Sequence, residues 1–213
     1  MVNTHRFSDR TDAGAQLAEV LLDRGVNADI VLAIPRGGLP LGRAVADALE
    51  VPLDVIVAKK IGAPGNPEYA IGAVASDGSV WRNDEAFRGT GSDDAYFEQQ
   101  RAEEAANARR KAARYRGGDS EPDVTDRTVV VVDDGVATGS TARACLRKLD
   151  RENPERVIFA VPVGPPETIS ELRRLADTVV CLESPASFRA VGLHYDRFDH
   201  VSDDEAMAYL DSE

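Results

Sequence analysis

Short apolar runs alternate with longer amphipathic stretches along most of the chain. Five runs are mostly apolar and lack the polar alternation of a half-exposed strand: Ile30–Ile34, Leu53–Ala58, Thr128–Val132, Val157–Val163 and Thr178–Leu182. Runs of this length are typical of strands that are buried on both faces, as in a parallel sheet covered by helices. The pattern therefore predicts five central strands.

The stretches between these runs carry helix signals. The first extends from Ser8, a candidate N-cap, to Gly25, a stop signal. Further helices are expected over residues 38–50, 139–151, 166–175 and 203–210. Strands that alternate with helices indicate an α/β fold, which we expect to be a three-layer, open and mainly parallel sheet.

Residues 61–127 interrupt this alternation. A turn-rich loop is expected over residues 62–67, followed by a hairpin of residues 70–75 and 80–82. Residues 94–116 predict a charged helix whose apolar residues are mostly alanine, so it should bury little and be peripheral or mobile. We expect one domain over residues 1–213, with an insertion at 61–127 and a C-terminal hood segment at 184–213.

Composition narrows the classes of function. The chain has 213 residues and a formal charge of −12. An acidic surface repels nucleic acid and anionic membranes, so neither is expected as a partner. No apolar run approaches the ~20 residues that span a bilayer, and the first ten residues lack the apolar core of a signal peptide. Cys145 and Cys181 are too few for a disulfide scaffold, and a cytoplasmic protein is expected.

The choice of charged residues adds a second observation. Arginine is far commoner than lysine, at 21 against 4, and aspartate exceeds glutamate, at 22 against 15. A surface rich in aspartate and poor in lysine suits a cytoplasm of high salt, where charge repulsion is screened. A GC-rich genome would produce the same bias through arginine and aspartate codons, so both explanations stay open.

The most informative stretch extends from Thr128 to Thr141. It reads as a buried strand that ends in two acids, followed by a loop of small residues that opens a helix. Ligands of open α/β sheets bind beyond the carboxyl ends of the strands, and a Gly/Ser/Thr loop at a helix N-terminus offers N–H groups and hydroxyls to an anion. This half of the site favours a phosphate group.

The two acids, Asp133 and Asp134, would repel a phosphate directly. They are explained if they accept hydrogen bonds from vicinal hydroxyls or hold a divalent cation. A phosphate within one sugar's length of a diol describes a pentose 5-phosphate. The alternative is a strand–turn–helix junction whose acids cap the helix. A nucleotide-binding P-loop is disfavoured because Ser140, not lysine, follows Gly139.

Val129–Thr141 resembles the phosphoribosyl pyrophosphate (PRPP) motif of the type I phosphoribosyltransferases. The resemblance implies that family's α/β fold, Mg²⁺ as cofactor and a homodimer. It also implies that Asp133 and Asp134 bind the ribose hydroxyls and, indirectly through PRPP, the metal. The 5-phosphate would be bound by the loop that follows: Gly135, Val136, Ala137, Thr138, Gly139, Ser140 and Thr141.

A second match stands after the first predicted strand. Pro35-Arg-Gly-Gly38 occupies the place of the family's pyrophosphate loop, so Arg36, Gly37 and Gly38 are expected to bind pyrophosphate. Taken alone, this segment could equally be a glycine loop that starts a helix beside a surface arginine.

The stretch Lys59–Glu68 occupies the place of the family's flexible loop, which closes over the reacting groups, and it begins with Lys59 and Lys60. They could neutralise pyrophosphate or be a solvated strand end. Gly65–Glu68 and Tyr115–Gly118 resemble segments that recur in a subgroup of uncharacterised predicted phosphoribosyltransferases. The basic residues of helix 94–116, which include Arg109 and Lys111, could cover the polyphosphate, but a solvated face is the simpler interpretation.

Phe188 to Tyr195 resembles the base-binding hood of the 6-oxopurine enzymes, which makes Phe188 and Tyr195 candidates for base contact. Ala137 stands where those enzymes have an acid, so the base stays open. The resemblance implies transfer of phosphoribose from PRPP to a nucleobase-like acceptor, with Arg36, Lys60, Asp133 and Asp134 as catalytic residues. The alternatives are a PRPP sensor without turnover and an acceptor outside the standard bases.

Overall fold

The strands of this protein form two sheets. The structure is a computed structural model that describes residues 6–118 and 120–211. The expectation about the first ten residues therefore falls partly outside the described chain. In chain order the strands are β1 (Ile30–Ala33), β2 (Leu53–Val55), β3 (Ala58–Ala63), β4 (Asn66–Ala75), β5 (Val80–Arg82), β6 (Thr128–Val132), β7 (Arg156–Val163) and β8 (Thr178–Glu183). The helices are α1 (Arg10–Asp23), α2 (Gly38–Leu49), α3 (Asp84–Gly89), α4 (Asp94–Tyr115), α5 (Ser140–Glu152), α6 (Pro166–Leu172) and α7 (Asp203–Ala208).

The main sheet has five parallel strands in the order β2-β1-β6-β7-β8. Its centre is β6, whose side chains alternate between two cores. Val129 and Val131 pack against α5 and α6, whereas Val130 and Val132 pack on the side of α1 and α2. Burial of both faces explains the uninterrupted valine run of this strand. The expected three-layer α/β fold is confirmed.

The second sheet is antiparallel and small, in the order β3-β4-β5. It replaces the turn-rich loop expected over residues 62–67, because β3 and β4 pair along that stretch and turn at residues 64–65. The pairing register shifts around Gly62, and a Cβ there would lie 2.5 Å from the Pro67 carbonyl oxygen. Glycine and proline thus mark an irregular part of a hairpin, where ladder hydrogen bonds are interrupted.

Two boundaries differ from those expected from the pattern. The run Leu53–Ala58 is divided, since β2 ends at Val55 and Ala58 begins β3. The N-cap of α1 is Asp9 rather than Ser8, and its carboxylate accepts the Asp12 N–H at 3.0 Å. The stop signal is confirmed, because Gly25 has a φ of +65° just after the helix.

Helix α4 is packed along its length, which corrects the expectation of a peripheral element. Phe97 and Ala105 of this helix are buried against the small sheet, and Ala108 and Ala112, nearer its C-terminus, are buried beside β2 and α2. The alanine face is narrow, but it permits a close approach of the helix to its neighbours. The low apolar content of this helix predicted a peripheral element. Each alanine buries only a small area, but its small side chain lets the helix pack closely against its neighbours.

The C-terminal end of α4 is held by ionic contacts to the edge strand β2. The Arg116 Nε lies 3.0 Å from both carboxylate oxygens of Asp54, and its Nη2 donates to the Val55 carbonyl at 2.8 Å. The two side chains expose 9% and 17% of their surface. The Tyr115–Gly118 segment thus joins the helix to the main sheet. No helix in the described residues is long and apolar enough to cross a membrane.

Arg116→Met is expected to destabilise the fold because it leaves the Asp54 carboxylate mostly buried and without its guanidinium. We expect a loss of about 2–3 kcal/mol in the free energy of unfolding, measured by urea denaturation at pH 7. Arg101→Met is the control: Arg101 pairs with Glu98 on the exposed surface of the same helix, so about 0.5 kcal/mol or less is expected. Equal losses in the two variants would contradict the anchoring role.

Candidate functional site

Asp133 and Asp134, here the acid pair, follow the central strand β6 at the carboxyl edge of the sheet. The Asp134 N–H donates to the Asp133 carboxylate at 2.9 Å. The Asp134 carboxylate accepts from Arg10 Nε at 2.8 Å, with side-chain exposures of 15% and 12%. Both acids are thus held by short contacts beside the strand end, and one guanidinium faces two carboxylates.

The charge of the acid pair is poorly compensated. Burial, and next to it the Asp134 carboxylate, raise the pKa of Asp133 well above its ordinary value. Burial also raises the pKa of Asp134, although the Arg10 guanidinium opposes that shift. A ligand that brings hydroxyl donors or a cation would stabilise both ionised carboxylates.

Two contacts to the acid pair come from distant parts of the chain. Arg10 is at the start of α1, and Tyr195 is in the C-terminal segment, where its hydroxyl donates to the Asp134 carbonyl at 2.6 Å. The Tyr195 ring is 3% exposed and packs between Phe7 and Phe198, with centroid distances of 5.5 and 4.9 Å. Tyr195 therefore has little free surface for a base and holds the backbone of the acid pair instead.

The phosphate loop, residues 135–141, runs from the acid pair into α5. Gly139 is the N-cap of α5 in a left-handed conformation, with φ +69°, and no side chain caps the helix there. The first turn of α5 thus has no capping side chain on its N–H groups, and the Thr138 and Ser140 hydroxyls lie 3.0 Å apart beside it. Such a helix start suits an anion.

A threonine outside the motif fixes the phosphate loop. The Thr168 hydroxyl of α6 donates to the Ala137 carbonyl at 2.8 Å. A Cβ at Gly139 would lie 2.8 Å from the Thr168 methyl group, so the glycine permits this contact. Thr168 carries no sequence signal, because it is an ordinary residue in the first turn of a short helix.

The arginine loop, residues 35–38, joins β1 to α2 and packs directly on the acid pair. A Cβ on Gly37 would lie 1.9 Å from the Asp134 Oδ2, and one on Gly38 would lie 2.6 Å from the Val132 carbonyl oxygen. Only glycine fits at these distances. The Pro35–Arg36 peptide bond is cis. The structure thus brings together Arg36, Gly37 and Gly38 with Asp133 and Asp134.

Positive groups collect on the other side of the arginine loop. Arg36 Nη2 lies 2.7 Å from His200 Nε2, and Nη1 lies 3.6 Å from an Asp203 oxygen. Lys111 of α4 donates to the Pro35 carbonyl at 3.3 Å, and the nearby Lys59 and Arg36 help to lower its pKa. Lys60, the next residue of β3, is exposed, and because side chains alternate in direction along a strand, Lys59 and Lys60 point to opposite faces of the small sheet.

A cavity of about 350 Å³ opens between the acid pair and the positive groups around Arg36. It is lined by Arg10, Arg36, Gly37, Asp134, Phe198, Asp199, His200 and Val201. Its aromatic residue is Phe198, which is 38% exposed and has the Arg10 guanidinium 3.8 Å from its ring centroid. Phe188, the sequence-based candidate, stacks on His194 at 5.4 Å instead.

Residues 8–197 match the family model described as "Phosphoribosyl transferase domain". The chain belongs to this family. It is 43% identical over 205 residues to provisionally named phosphoribosyl transferases of two Mycobacterium tuberculosis strains. These matches cover 96% of this chain and 46% of each relative, so the chain spans about half the length of the curated relatives it matches.

Two solved structures extend the comparison. A Thermus thermophilus protein, TT1426, is 43% identical and superimposes with a TM-score of 0.80 over 96% of this chain and 97% of that one. The AQ2163 protein of Aquifex aeolicus is 12% identical, with a TM-score of 0.53 over 86% of this chain and 78% of that one. The second likeness shows the fold alone. The resemblance to type I phosphoribosyltransferases is thus confirmed as a family relationship.

The acid pair predicts an unequal response of stability to two isosteric substitutions. Since the folded-state pKa of Asp133 lies above the unfolded value of 3.8, its protonated form is favoured in the folded protein, and stability is lost as pH rises from about 4 through the folded-state pKa. Asp133→Asn removes this cost and should stabilise the ligand-free protein by about 1 kcal/mol or more at pH 7.

Asp134→Asn is the matched comparison: burial raises the pKa of Asp134 as well, but the Arg10 guanidinium opposes that shift, so its gain in stability at pH 7 should be smaller than that of Asp133→Asn. Urea denaturation at pH 4 and pH 7 measures both effects, and the gain from Asp133→Asn should vanish at pH 4. Destabilisation at pH 7 by both substitutions would contradict this account of the charges.

Proposed function

We propose that this protein transfers the 5-phosphoribosyl group of PRPP to a nucleobase-like acceptor and releases pyrophosphate. The observation that carries the proposal is the contact of the arginine loop with the acid pair, where a Cβ on Gly37 would lie 1.9 Å from Asp134. This contact puts a candidate pyrophosphate loop, a candidate diol site and a candidate phosphate loop side by side. Family membership supports the same assignment.

Each part of PRPP has a matching part of the site. The phosphate loop receives the 5-phosphate through N–H groups of residues 137–141 and through the hydroxyls of Thr138, Ser140 and Thr141. The acid pair accepts hydrogen bonds from the ribose 2- and 3-hydroxyls. Arg36, with backbone donors of Gly37 and Gly38, binds the pyrophosphate. The positive groups of the site thus face the charged phosphates of PRPP, and the acids face its uncharged hydroxyls.

The acid pair also fits a divalent cation that arrives with PRPP. The Asp134 carboxylate lines the cavity and pairs with Arg10, Asp133 is the adjacent residue, and oxygen donors are those that Mg²⁺ prefers. In the described residues no cluster of three or more His, Cys, Asp or Glu side chains has metal-site geometry. Bound Mg²⁺ would supply neutralisation of charge on the pyrophosphate oxygens.

The reaction breaks the bond between the anomeric carbon and a pyrophosphate oxygen, and the electron pair leaves with pyrophosphate. A ring nitrogen of the acceptor forms the new bond and loses its proton. Positive charge develops on the ribose ring, where the acid pair is near, and negative charge develops beside Arg36. Exclusion of water from the cavity would prevent hydrolysis of PRPP.

The acceptor is assigned to the cavity beside the acid pair. Phe198 presents a partly exposed ring there. We therefore propose Phe198, in place of Phe188 and Tyr195, as the residue that contacts the base. Its ring can stack on a planar heterocycle. Ala137 has no carboxyl group that could exchange a proton with the acceptor. The identity of the base is therefore a question for the assay.

The assay is pyrophosphate release from PRPP with Mg²⁺, across a panel of purine and pyrimidine bases, at low and at molar salt. Release that depends on one base is the expected result. The Asp133→Asn/Asp134→Asn double variant, tested for fold by circular dichroism, should lose PRPP binding. Tight PRPP binding by the wild type without release for any acceptor would favour a sensor over an enzyme.

Arg36→Ala tests the pyrophosphate loop separately from the phosphate loop. The loss of a charged donor should weaken the binding of pyrophosphate about ten-fold or more, whereas the affinity for ribose 5-phosphate should be unchanged. Isothermal titration calorimetry with each ligand measures both. Equal losses for the two ligands would contradict the assignment of Arg36.

A further inference from the structure

Lys111, one of the four lysines of this chain, brings its ammonium group to the arginine loop, and the Lys59 and Arg36 cations are both near enough to act on its charge. Lys59 is on β3, and Lys111 is on α4, where its ammonium group donates to the Pro35 carbonyl at 3.3 Å. In a chain so poor in lysine and so rich in acids, two cations therefore meet at the arginine loop, with the charge of Lys59 acting on one of them. Like charges at close range are unfavourable unless an anion joins them.

The acids around these cations do not neutralise them. Asp203 of α7 is the carboxylate that faces this group, and it is shared with Arg36 at 3.6 Å, Arg114 at 3.0 Å and the Tyr115 hydroxyl at 2.6 Å. Lys111 is half-buried, with the Tyr115 ring centroid 5.4 Å from its ammonium. One carboxylate thus faces Arg36 and Lys111 at the arginine loop and is shared with Arg114 at the rim of that loop.

We propose that Lys111 is a direct ligand of the pyrophosphate group and completes, with Arg36 and Lys59, a three-cation site for a diphosphate. This inference rests on the proposed function, since it assigns an additional residue to its pyrophosphate subsite. It also gives helix α4 a role, because its packing against β3 and the arginine loop delivers the ammonium to that place. Arg109 and Arg110 lie on the same helix but are exposed.

The charge state of Lys111 supplies a readout that a structural role would not move. Burial, with the neighbouring Lys59 and Arg36 cations, lowers its pKa to about 8, and Asp203 opposes the shift. His200 is the further titratable group in contact with Arg36. A bound diphosphate favours the charged ammonium, so binding above pH 8 must draw a proton from the buffer.

The experiment is calorimetry of inorganic pyrophosphate binding, with Mg²⁺, in buffers of different ionisation enthalpy at pH 7.0 and pH 8.5. The variants are Lys111→Met, Lys111→Arg and, as a control on the same helix, Arg110→Met. At pH 7.0 we expect Lys111→Met to weaken pyrophosphate binding about ten-fold. Lys111→Arg should restore most of the affinity, and Arg110→Met should match the wild type.

At pH 8.5 the wild type and Arg110→Met should take up about 0.7 proton more per pyrophosphate than Lys111→Met or Lys111→Arg do, because a lysine with a pKa near 8 is then mostly neutral. Ribose 5-phosphate should bind all four proteins equally. Wild-type affinity and proton uptake in Lys111→Met would overturn the role of Lys111 and leave the proposed function intact. Failure of the wild type to bind either ligand would overturn both.

Discussion

Two adjacent carboxylates at the end of a buried central strand are the constraint on which this site depends. Asp133 and Asp134 cannot both be ionised there without compensation, and Arg10 supplies one positive charge at 2.8 Å. The surrounding structure keeps the pair in place at a cost in stability. Tyr195 binds its backbone, and Gly37 leaves room for its second carboxylate. Retention of such a pair is characteristic of a site that is completed by a ligand.

The site separates its charges in space. The acid pair and the phosphate loop lie at the end of β6. Arg36 and Lys111 lie at the arginine loop, near Asp203 and His200. A ligand with a diol between a phosphate and a diphosphate would match this order of groups. The hood contributes to both sides, since Tyr195 contacts the acid pair and His200 contacts Arg36. The C-terminal segment thus contacts both parts of the candidate site.

The sequence predicted the central sheet well because strands buried on both faces leave continuous apolar runs, as in β6. It predicted the acid pair and both loops because their residues are contiguous. It missed Arg10, Thr168 and Phe198, whose roles arise from contacts between distant segments and leave no local pattern. It also misjudged β3 and β4, where Gly62 and Pro67 lie in an irregular hairpin, and α4, where alanine permits close packing.

The most direct test of this account is a crystal structure of the protein with PRPP and Mg²⁺. We expect the ribose hydroxyls within hydrogen-bond distance of the Asp133 and Asp134 carboxylates, the 5-phosphate on the N–H groups of residues 137–141, and the diphosphate against Arg36. Density for PRPP with its diphosphate on the loop of residues 137–141, or with its ribose away from the acid pair, would contradict it.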